Sequence, residues 1–207
     1  MISRFGSSGG PADSELVSQV VGGDGAAFGP IVERYQDRLY NTVYRMVGSA
    51  EDARDLVQEV FVKAYENLAS FKGTSSLYTW LFRIAVNASL SHRRKRKWVR
   101  MAGPAADPGD GEAARPVESP GATGEWPDPA DGDPAREMLA ADTEAAVQQA
   151  LAQLDDEHRT VVVLRDIQHC DYREIADILG VPTGTVKSRL HRARLTLRDK
   201  LQPLLKA

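Results

Sequence analysis

The stretch that decides the fold of this chain spans residues 171–201 and reads DYREIADILGVPTGTVKSRLHRARLTLRDKL. Residues 172–179 have the apolar periodicity of a short helix, and residues 180–182 read Gly-Val-Pro, which indicates a tight turn. Thr183 follows the turn and is placed to cap a last helix. Helix, glycine-containing turn and helix is the layout of a helix-turn-helix, which we therefore predict here.

The predicted last helix has two chemically different faces when its residues are placed at about 100° each. The apolar face holds Val186, Leu190, Ala193 and Leu197. The opposite face holds the donors Lys187, Ser188, His191 and Arg192, with Arg189 and Arg194 at the margins. A DNA-recognition helix needs donors for base edges and flanking cations for phosphates. An ordinary solvated basic helix is the alternative, and the preceding turn favours the DNA interpretation.

The first half of the chain is also predicted to be helical. Its first apolar stripe at three-to-four spacing consists of Phe28, Ile31, Val32, Tyr35, Leu39, Val43 and Met46. A second stripe consists of Ala53, Leu56, Val57, Val60, Phe61, Ala64 and Leu68. Ser49 and Asp52 form a capping pair at the start of the second helix, and residues 72–76 read as a loop. A third helix is expected from Leu77 onward, so the fold class is all-α.

Charge is distributed in blocks along the chain, although the net charge is only -3. Every charged residue from 83 to 100 is positive, residues 101–134 are acidic and rich in Pro and Gly, and residues 186–200 are basic again. The middle block has too few large apolar residues to form a core. We predict a tail over 1–12, a helical module over 13–100, a flexible acidic linker over 101–136 and a second helical module over 137–207.

Composition argues against several classes of protein. Hydrophobic residues make up 42% of the chain and charged residues 27%, as in a soluble globular protein. No apolar run is long enough to span a membrane and no signal peptide is recognisable, so we expect a cytoplasmic protein without membrane insertion. Cys170 is the single cysteine, and its neighbour His169 lacks partners at metal spacing. We predict no catalytic residues, no metal site and no cofactor.

Two further patterns have competing interpretations. The run SHRRKRK, residues 91–97, ends a helix that carries Trp80 and suggests phosphate contacts beside base stacking. A favourable charge cluster at a helix end is the alternative, and Trp80 itself fits a core position better than a stacking surface. On the second helix, Asp55, Gln58 and Glu59 lie off the apolar stripe, where polar residues usually form a solvated face.

Two long stretches resemble a known family. DLVQEVFVKAYENLASF and TSSLYTWLFRIAVNASLSHRRKRK resemble region 2 of extracytoplasmic-function sigma factors. LDDEHRTVVVLRDIQHCDYREIADILGVPTGTVKSRLHRARLTLRDKL resembles their region 4. The resemblance covers nearly everything outside the tail and the linker. It implies an alternative sigma factor that binds RNA polymerase core and directs promoter-specific initiation.

The resemblance also implies roles for individual residues. The helix with Asp55, Gln58 and Glu59 would bind the coiled coil of the polymerase β′ subunit. The minus-10 element would be read and opened by Phe71, Ser75, Trp80, Arg83, Asn87, Arg93, Arg94 and Arg96, with a flipped base near the loop and Asn87. The minus-35 element would be read by Thr185, Lys187, Ser188, Arg189, His191, Arg192 and Arg194. Thr74, Ser75 and Ser76 stand where relatives often have an acidic residue, and His191 stands where relatives vary.

The expected partners are RNA polymerase core, through its β′ coiled coil and β flap, promoter DNA, and an anti-sigma factor. The acidic linker would run through the polymerase cleft, and in the free protein it would compete for the basic surfaces. A conventional helix-turn-helix regulator is a second hypothesis, which leaves the polar face around Gln58 and the SHRRKRK run without a role. An enzyme acting on nucleic acid is a third, and it would need a metal or acid/base cluster.

Overall fold

The computed structural model describes residues 12–102 and 134–202, with the side chains of residues 102 and 134–142 left out. This part of the chain is helical without any strand, which confirms the all-α prediction. The helices are α1 (Asp13–Val21), α2 (Gly29–Val47), α3 (Ala50–Asn67), α4 (Leu77–Ala102), α5 (Pro134–Ala152), α6 (Asp156–Val162), α7 (Tyr172–Leu179) and α8 (Thr183–Leu201). A π-helical turn (Val163–Ile167) follows α6. Residues 1–11 of the predicted tail and most of the predicted linker lie outside the described residues.

Local signals set the ends of the N-terminal helices. Gly48 ends α2 in the left-handed conformation at φ 81°, which glycine adopts without a steric penalty. The Ser49 side chain then accepts a hydrogen bond from the backbone N–H of Asp52, as the capping pair predicted. Ser76 plays the same part for α4, because its Oγ accepts from the backbone N–H of Thr79 at 3.0 Å. The loop before α4 is therefore anchored where the helix begins.

The N-terminal core lies between α2, α3 and α4. Ile31, Leu39 and Val43 on α2 are fully buried, and so are Val60 on α3 and Phe82 on α4. Both predicted stripes face this core, although Val32 is only half-buried. The periodicity therefore identified the buried faces correctly. It did not identify α1, which a hydrogen bond from Tyr35 to Asp13 ties to α2.

The C-terminal module contains the predicted helix-turn-helix. Asp171 and Glu174 form a reciprocal capping box at the start of α7, and Gly180 ends this helix at φ 66°. The bounds of α7 match the prediction. Thr183 does not cap α8, because the cap position belongs to Pro182 and Thr183 is already the first helical residue. The proline side chain has no hydrogen-bond acceptor, so no side-chain cap forms here.

The two modules pack against each other along α2 and α4. The α7 helix lies against α4, while α5, α6 and the π-helical turn lie against α2. Tyr78 on α4 places its hydroxyl oxygen 3.0 Å from the Cys170 sulfur. The guanidinium of Arg38 lies 4.3 Å from the centre of the Tyr78 ring and donates to the backbone carbonyl of Gln168. An aromatic contact with a cation and a buried thiol thus joins the modules.

Arg159 is the second link between the modules. Its side chain is buried, and it donates to the backbone carbonyls of Leu151, Ala152 and Leu154 within its own module. It also donates to the carbonyl of Met46 at the end of α2, at 2.7 Å. Burial lowers the pKa of Arg159 to about 10, which leaves the guanidinium charged at neutral pH. One buried cation therefore satisfies the carboxyl ends of two helices from different modules.

Candidate nucleic-acid interface

The α8 helix presents the two faces that the sequence predicts. Val186, Leu190 and Ala193 are buried against the rest of the module. The side chains on the opposite side are exposed, and they are Lys187, Ser188, His191 and Arg192. The donors at these positions are therefore available to a ligand that approaches the amino-terminal half of α8.

The two arginines at the margins of the exposed face of α8 form ion pairs with residues of their own module. Arg189 forms an ion pair with Glu157 at 2.8 Å, and Arg194 forms a bidentate pair with Asp166. The hydrogen bond with the Asp166 carboxylate raises the pKa of Arg194. Thr185 is half-buried, and its carbonyl accepts a hydrogen bond from the Ser188 hydroxyl. These contacts fix side chains at the edges of the exposed face and leave its centre open.

All four cations predicted to bind the minus-10 element have partners within the chain, and that of Arg94 is the Ser91 hydroxyl. Arg83 donates to the backbone carbonyl of Asp177 on α7. Arg93 pairs with Asp156 on α6 at 2.5 Å and donates to the carbonyl of Met46. Arg96 pairs with Asp52 on α3 at 2.8 Å. The C-terminal module thus occupies the guanidinium groups of Arg83 and Arg93 in this arrangement.

An open groove lies along the side of α4 that faces α3. The groove has a volume of about 740 Å³ and lies between α3 and α4, with Glu59, Trp80 and Asn87 among its lining residues. A smaller cavity of about 310 Å³ adjoins the loop before α4 and is lined by Phe71, Ser75, Trp80, Arg83 and Asp177. The structure therefore brings together most of the residues that the resemblance assigned to the minus-10 element.

Trp80 combines features of the two alternatives that its sequence context allowed, a core position and a stacking surface. Its side chain is half-buried and packs against the core, and its ring centre lies 5.5 Å from that of Phe71. It also lines both the groove and the smaller cavity. The indole is thus a wall of the site that is supported from behind by the core.

The outer face of α3 carries the three residues expected to contact polymerase. Asp55, Gln58 and Glu59 are exposed on the side opposite the buried stripe. Glu59 pairs with Lys63 one turn later at 3.1 Å. Val62 continues this face and exposes 57% of its surface. The result is a mixed acidic and apolar surface that a protein partner could cover.

The described residues offer no catalytic constellation that uses Cys170. Burial raises the pKa of its thiol to about 11, so the sulfur is protonated and shielded at neutral pH. Within residues 12–102 and 134–202, no group of three or more His, Cys, Asp and Glu side chains is placed to hold a metal ion. None of the helices in the same ranges has the length and apolar character that crossing a membrane requires.

Comparison with known proteins identifies the family of this chain. The family model for sigma-70 region 2 matches residues 31–99, and the model for sigma-70 region 4 matches residues 144–197. The RNA polymerase sigma-H factor of Pseudomonas aeruginosa is 38% identical over 94% of this chain and 96% of its own length. The ECF sigma factor SigW of Bacillus subtilis is 37% identical over 91% of this chain and 96% of its own length.

The chain belongs to the extracytoplasmic-function sigma factors of the sigma-70 family. It is an alternative sigma factor, a protein that directs promoter-specific transcription. Its fold is similar to that of CnrH solved with the cytosolic domain of CnrY, with a TM-score of 0.65, 26% identity and coverage of 93% of this chain and 99% of that one. The sigma factor RpoE solved with the anti-sigma factor NepR, from Bartonella quintana, gives a TM-score of 0.61 at 26% identity, covering 84% of this chain and 96% of that one.

Sequence reasoning missed the residues that hold the two modules of this sigma factor together. Arg159 lies in the charged run Asp-Asp-Glu-His-Arg, which reads as a solvated helix start. The signal that points to its burial is the apolar segment directly after it, since Val161, Val163 and Leu164 are fully buried. Tyr78 and Cys170 gave no comparable signal, because periodicity shows which side is buried but does not identify the surface that buries it.

Proposed function

We propose that this sigma factor binds RNA polymerase core through the outer face of α3 and reads the promoter with its two helical modules. The module over residues 13–100 would recognise and open the minus-10 element, and the module over 137–207 would read the minus-35 element. The observation that carries the proposal is the exposure of Lys187, His191 and Arg192 on α8 beside the buried apolar face of the same helix. Matching donors to base edges in the major groove requires this separation of faces.

The minus-10 assignment is supported by the groove beside α4. Trp80 offers an aromatic wall, Asn87 offers donor and acceptor groups, and Ser75 lines the smaller cavity that adjoins the groove. An unpaired base needs a site of this kind, because stacking and hydrogen bonds to its edge replace what it loses on leaving the duplex. Phosphates would be held by Arg83, Arg93, Arg94 and Arg96.

This use of Arg83 and Arg93 is favoured by separation of the modules. Both guanidinium groups donate to the C-terminal module, so a phosphate would compete with the Asp177 carbonyl and the Asp156 carboxylate while α6 and α7 stay in place. We propose that binding to polymerase core, at its β′ coiled coil and β flap, draws the modules apart. The packed arrangement would also suit an anti-sigma factor. Among the solved relatives, RpoE is bound to the anti-sigma factor NepR, and CnrH is bound to the cytosolic domain of CnrY.

The test is reconstituted transcription. Core polymerase supplied with the purified chain would be given a library of templates with randomised upstream DNA, and transcript starts would be mapped. We expect initiation only in the presence of the chain, from templates enriched for one pair of spaced elements. Transcription from the same templates by core polymerase alone, or failure of the chain to form holoenzyme, would contradict the proposal. A conventional helix-turn-helix regulator would bind the duplex without changing the start sites of core polymerase.

A further inference from the structure

The end of α4 exposes an unusual group of apolar side chains. Trp98 exposes 62% of its surface, Val99 49% and Met101 78%. These residues follow a run in which every charge is positive, and no carboxylate occurs between Arg83 and Arg100. Large apolar side chains clustered at a surface usually mark a binding site. The cations around them indicate a negatively charged partner.

Helical geometry places Trp98 in line with the groove. Trp98 lies 18 residues after Trp80, which is five turns of 3.6 residues, so the two indoles project from the same side of α4. Asn87, Ser91 and Arg94 fall on this side between them. At a rise of 1.5 Å per residue the line is about 27 Å long, close to the length of about eight stacked nucleotides. We call this line, from Trp80 through Asn87, Ser91 and Arg94 to Trp98, the α4 track.

The C-terminal module leaves the α4 track open. Asn87, Ser91 and Arg94 are exposed, and the groove beside them is lined further by Lys95. Arg93, which pairs with Asp156, projects about 140° away from the α4 track, and the contacts of Tyr78 and Arg83 with the C-terminal module lie near the Trp80 end. A ligand therefore reaches the stretch from Asn87 to Trp98 without any rearrangement of the two modules.

The order of side chains along the α4 track fits one class of ligand. Surfaces for single-stranded nucleic acid combine aromatic rings that stack on bases with cations that follow the backbone. A paired duplex offers phosphates but keeps the faces of its bases stacked inside, so it gives Trp98 no partner. An apolar protein surface would cover Trp98 but would leave Arg94 and Lys95 without counter-charges. Single-stranded DNA satisfies both groups.

We propose that Trp98 is a stacking platform for an unpaired base of promoter DNA, at the end of the α4 track farthest from the loop before α4. Arg94 binds the adjacent phosphate, and its guanidinium is already oriented by a hydrogen bond to the Ser91 hydroxyl at 3.2 Å. The inference rests on the proposed function and extends it, because it gives the open strand a second aromatic contact about five helical turns from Trp80. Trp98 would then help to keep the two strands apart.

The first experiment measures binding of the full chain to fluorescein-labelled oligo(dT) and to a mixed-sequence duplex of equal length, at several salt concentrations. Trp98→Ala should weaken binding to the single strand about 5- to 150-fold, since stacking contributes about 1–3 kcal/mol per base. Its salt slope should stay unchanged because no charge is lost. Trp98→Tyr should retain most of the affinity, and Arg94→Ala should reduce the slope by about 0.7. Duplex binding should be unaffected by Trp98→Ala.

Val99→Ala is the matched control. Val99 is the next residue, exposes a similar fraction of its surface, and lies about 100° away around the helix, off the α4 track. Equal losses for Val99→Ala and Trp98→Ala would mean a general apolar contact and would overturn the proposal. So would wild-type affinity for oligo(dT) in Trp98→Ala, or no measurable binding of oligo(dT) by the wild-type chain at low salt.

The second experiment separates this inference from the proposed function. Holoenzyme with each variant would be tested for assembly and for promoter opening, with 2-aminopurine in the non-template strand as the probe. We expect Trp98→Ala to assemble normally and to open promoters less completely. Wild-type chain that does not assemble with core overturns the proposed function. If the wild-type chain is active and Trp98→Ala opens promoters normally, the stacking role alone is overturned. If Trp98→Ala fails to assemble with core, Trp98 is a polymerase contact and the stacking role is also overturned.

Discussion

The hydroxyl oxygen of Tyr78 on α4 lies 3.0 Å from the sulfur of Cys170, so the single cysteine of the chain is buried at the contact between its two modules. Burial is the largest cause of the raised pKa of both groups; Cys170 raises the pKa of Tyr78 further, whereas the hydrogen bond with Tyr78 lowers the pKa of Cys170. The thiol is consequently a natural reporter of whether the modules are together, since solvent reaches it only after they separate.

We expect the reaction of Cys170 with a disulfide reagent such as DTNB to be slow in the free sigma factor at pH 7.5. Binding of core polymerase should accelerate it by at least about tenfold, because separation exposes the thiol and returns its pKa toward the ordinary range. The rate is measured from the absorbance of the thiolate that the reagent releases. The signal from the cysteines of core polymerase, recorded with core alone, is subtracted. An unchanged rate in fully assembled holoenzyme would show that the contact persists there.

Arg159 gives a prediction about stability. Replacing it with Ala leaves the carbonyls of Leu151, Ala152 and Leu154 without their buried donor and leaves the Met46 carbonyl with Arg93 as its remaining side-chain donor. We expect the free energy of unfolding to fall by about 3 kcal/mol, measured by urea denaturation with circular dichroism. Arg189→Ala is the matched control, because it removes a partly exposed pair with Glu157 and should cost no more than about 1 kcal/mol. Equal effects of the two changes would contradict the role of Arg159.

The fold of each module was predictable from sequence, whereas their packing was not. Periodicity and capping located α7 and the start of α3, because these signals act within one or two turns of chain. The contact of Arg159 with Met46 joins residues 113 positions apart, and no local pattern encodes such a pair. The candidate site divides in the same way. The exposed face of α8 follows from its own sequence, but the engagement of Arg83 by α7 depends on the packing of two modules.

The buried thiol of Cys170 makes the free energy of unfolding depend on pH in the alkaline range. The pKa of Cys170 is about 11 in the folded protein, against 9.0 for an unperturbed thiol. Between these values the unfolded chain binds fewer protons than the folded one, so the free energy of unfolding falls as the pH rises from about 9 to 11. The loss is about 2–3 kcal/mol. Urea denaturation of wild type and Cys170→Ala across this window should give a shallower decline for the variant, and parallel curves would contradict the assignment.

The outer face of α3 is predicted to bind polymerase core. Asp55→Lys combined with Glu59→Lys should weaken holoenzyme assembly at least tenfold, because the two substitutions reverse the charge of the proposed interface. Native gel titration with core polymerase measures this. Both side chains are exposed, so the helical circular dichroism signal should stay intact. Glu33→Lys with Asp37→Lys, which reverses two exposed acids on α2, is the control and should assemble normally. Normal assembly of the α3 variant would contradict the proposed surface.

Base reading by α8 gives the final prediction, and the structure separates two kinds of residue. Lys187 and His191 are exposed at the centre of the open face, where their donors reach base edges. Arg194 is held at the margin by Asp166, in a position suited to phosphate. Losing a base contact should cost about 1–3 kcal/mol on the preferred site and relax discrimination at one position. Losing a phosphate contact should weaken all sequences alike and lower the salt slope by about 1.

A library of minus-35 sequences joined to fixed minus-10 DNA distinguishes these outcomes. Lys187→Ala and His191→Ala should each flatten the preference at one position while other positions keep theirs. Arg194→Ala should leave every preference intact, and its effect should be small, because Asp166 competes with phosphate for the same guanidinium. Asp166→Asn should then strengthen binding to all sequences in an Arg194-dependent manner. Uniform losses from the first two variants, together with altered preference in Arg194→Ala, would reverse the assignment of base and phosphate contacts.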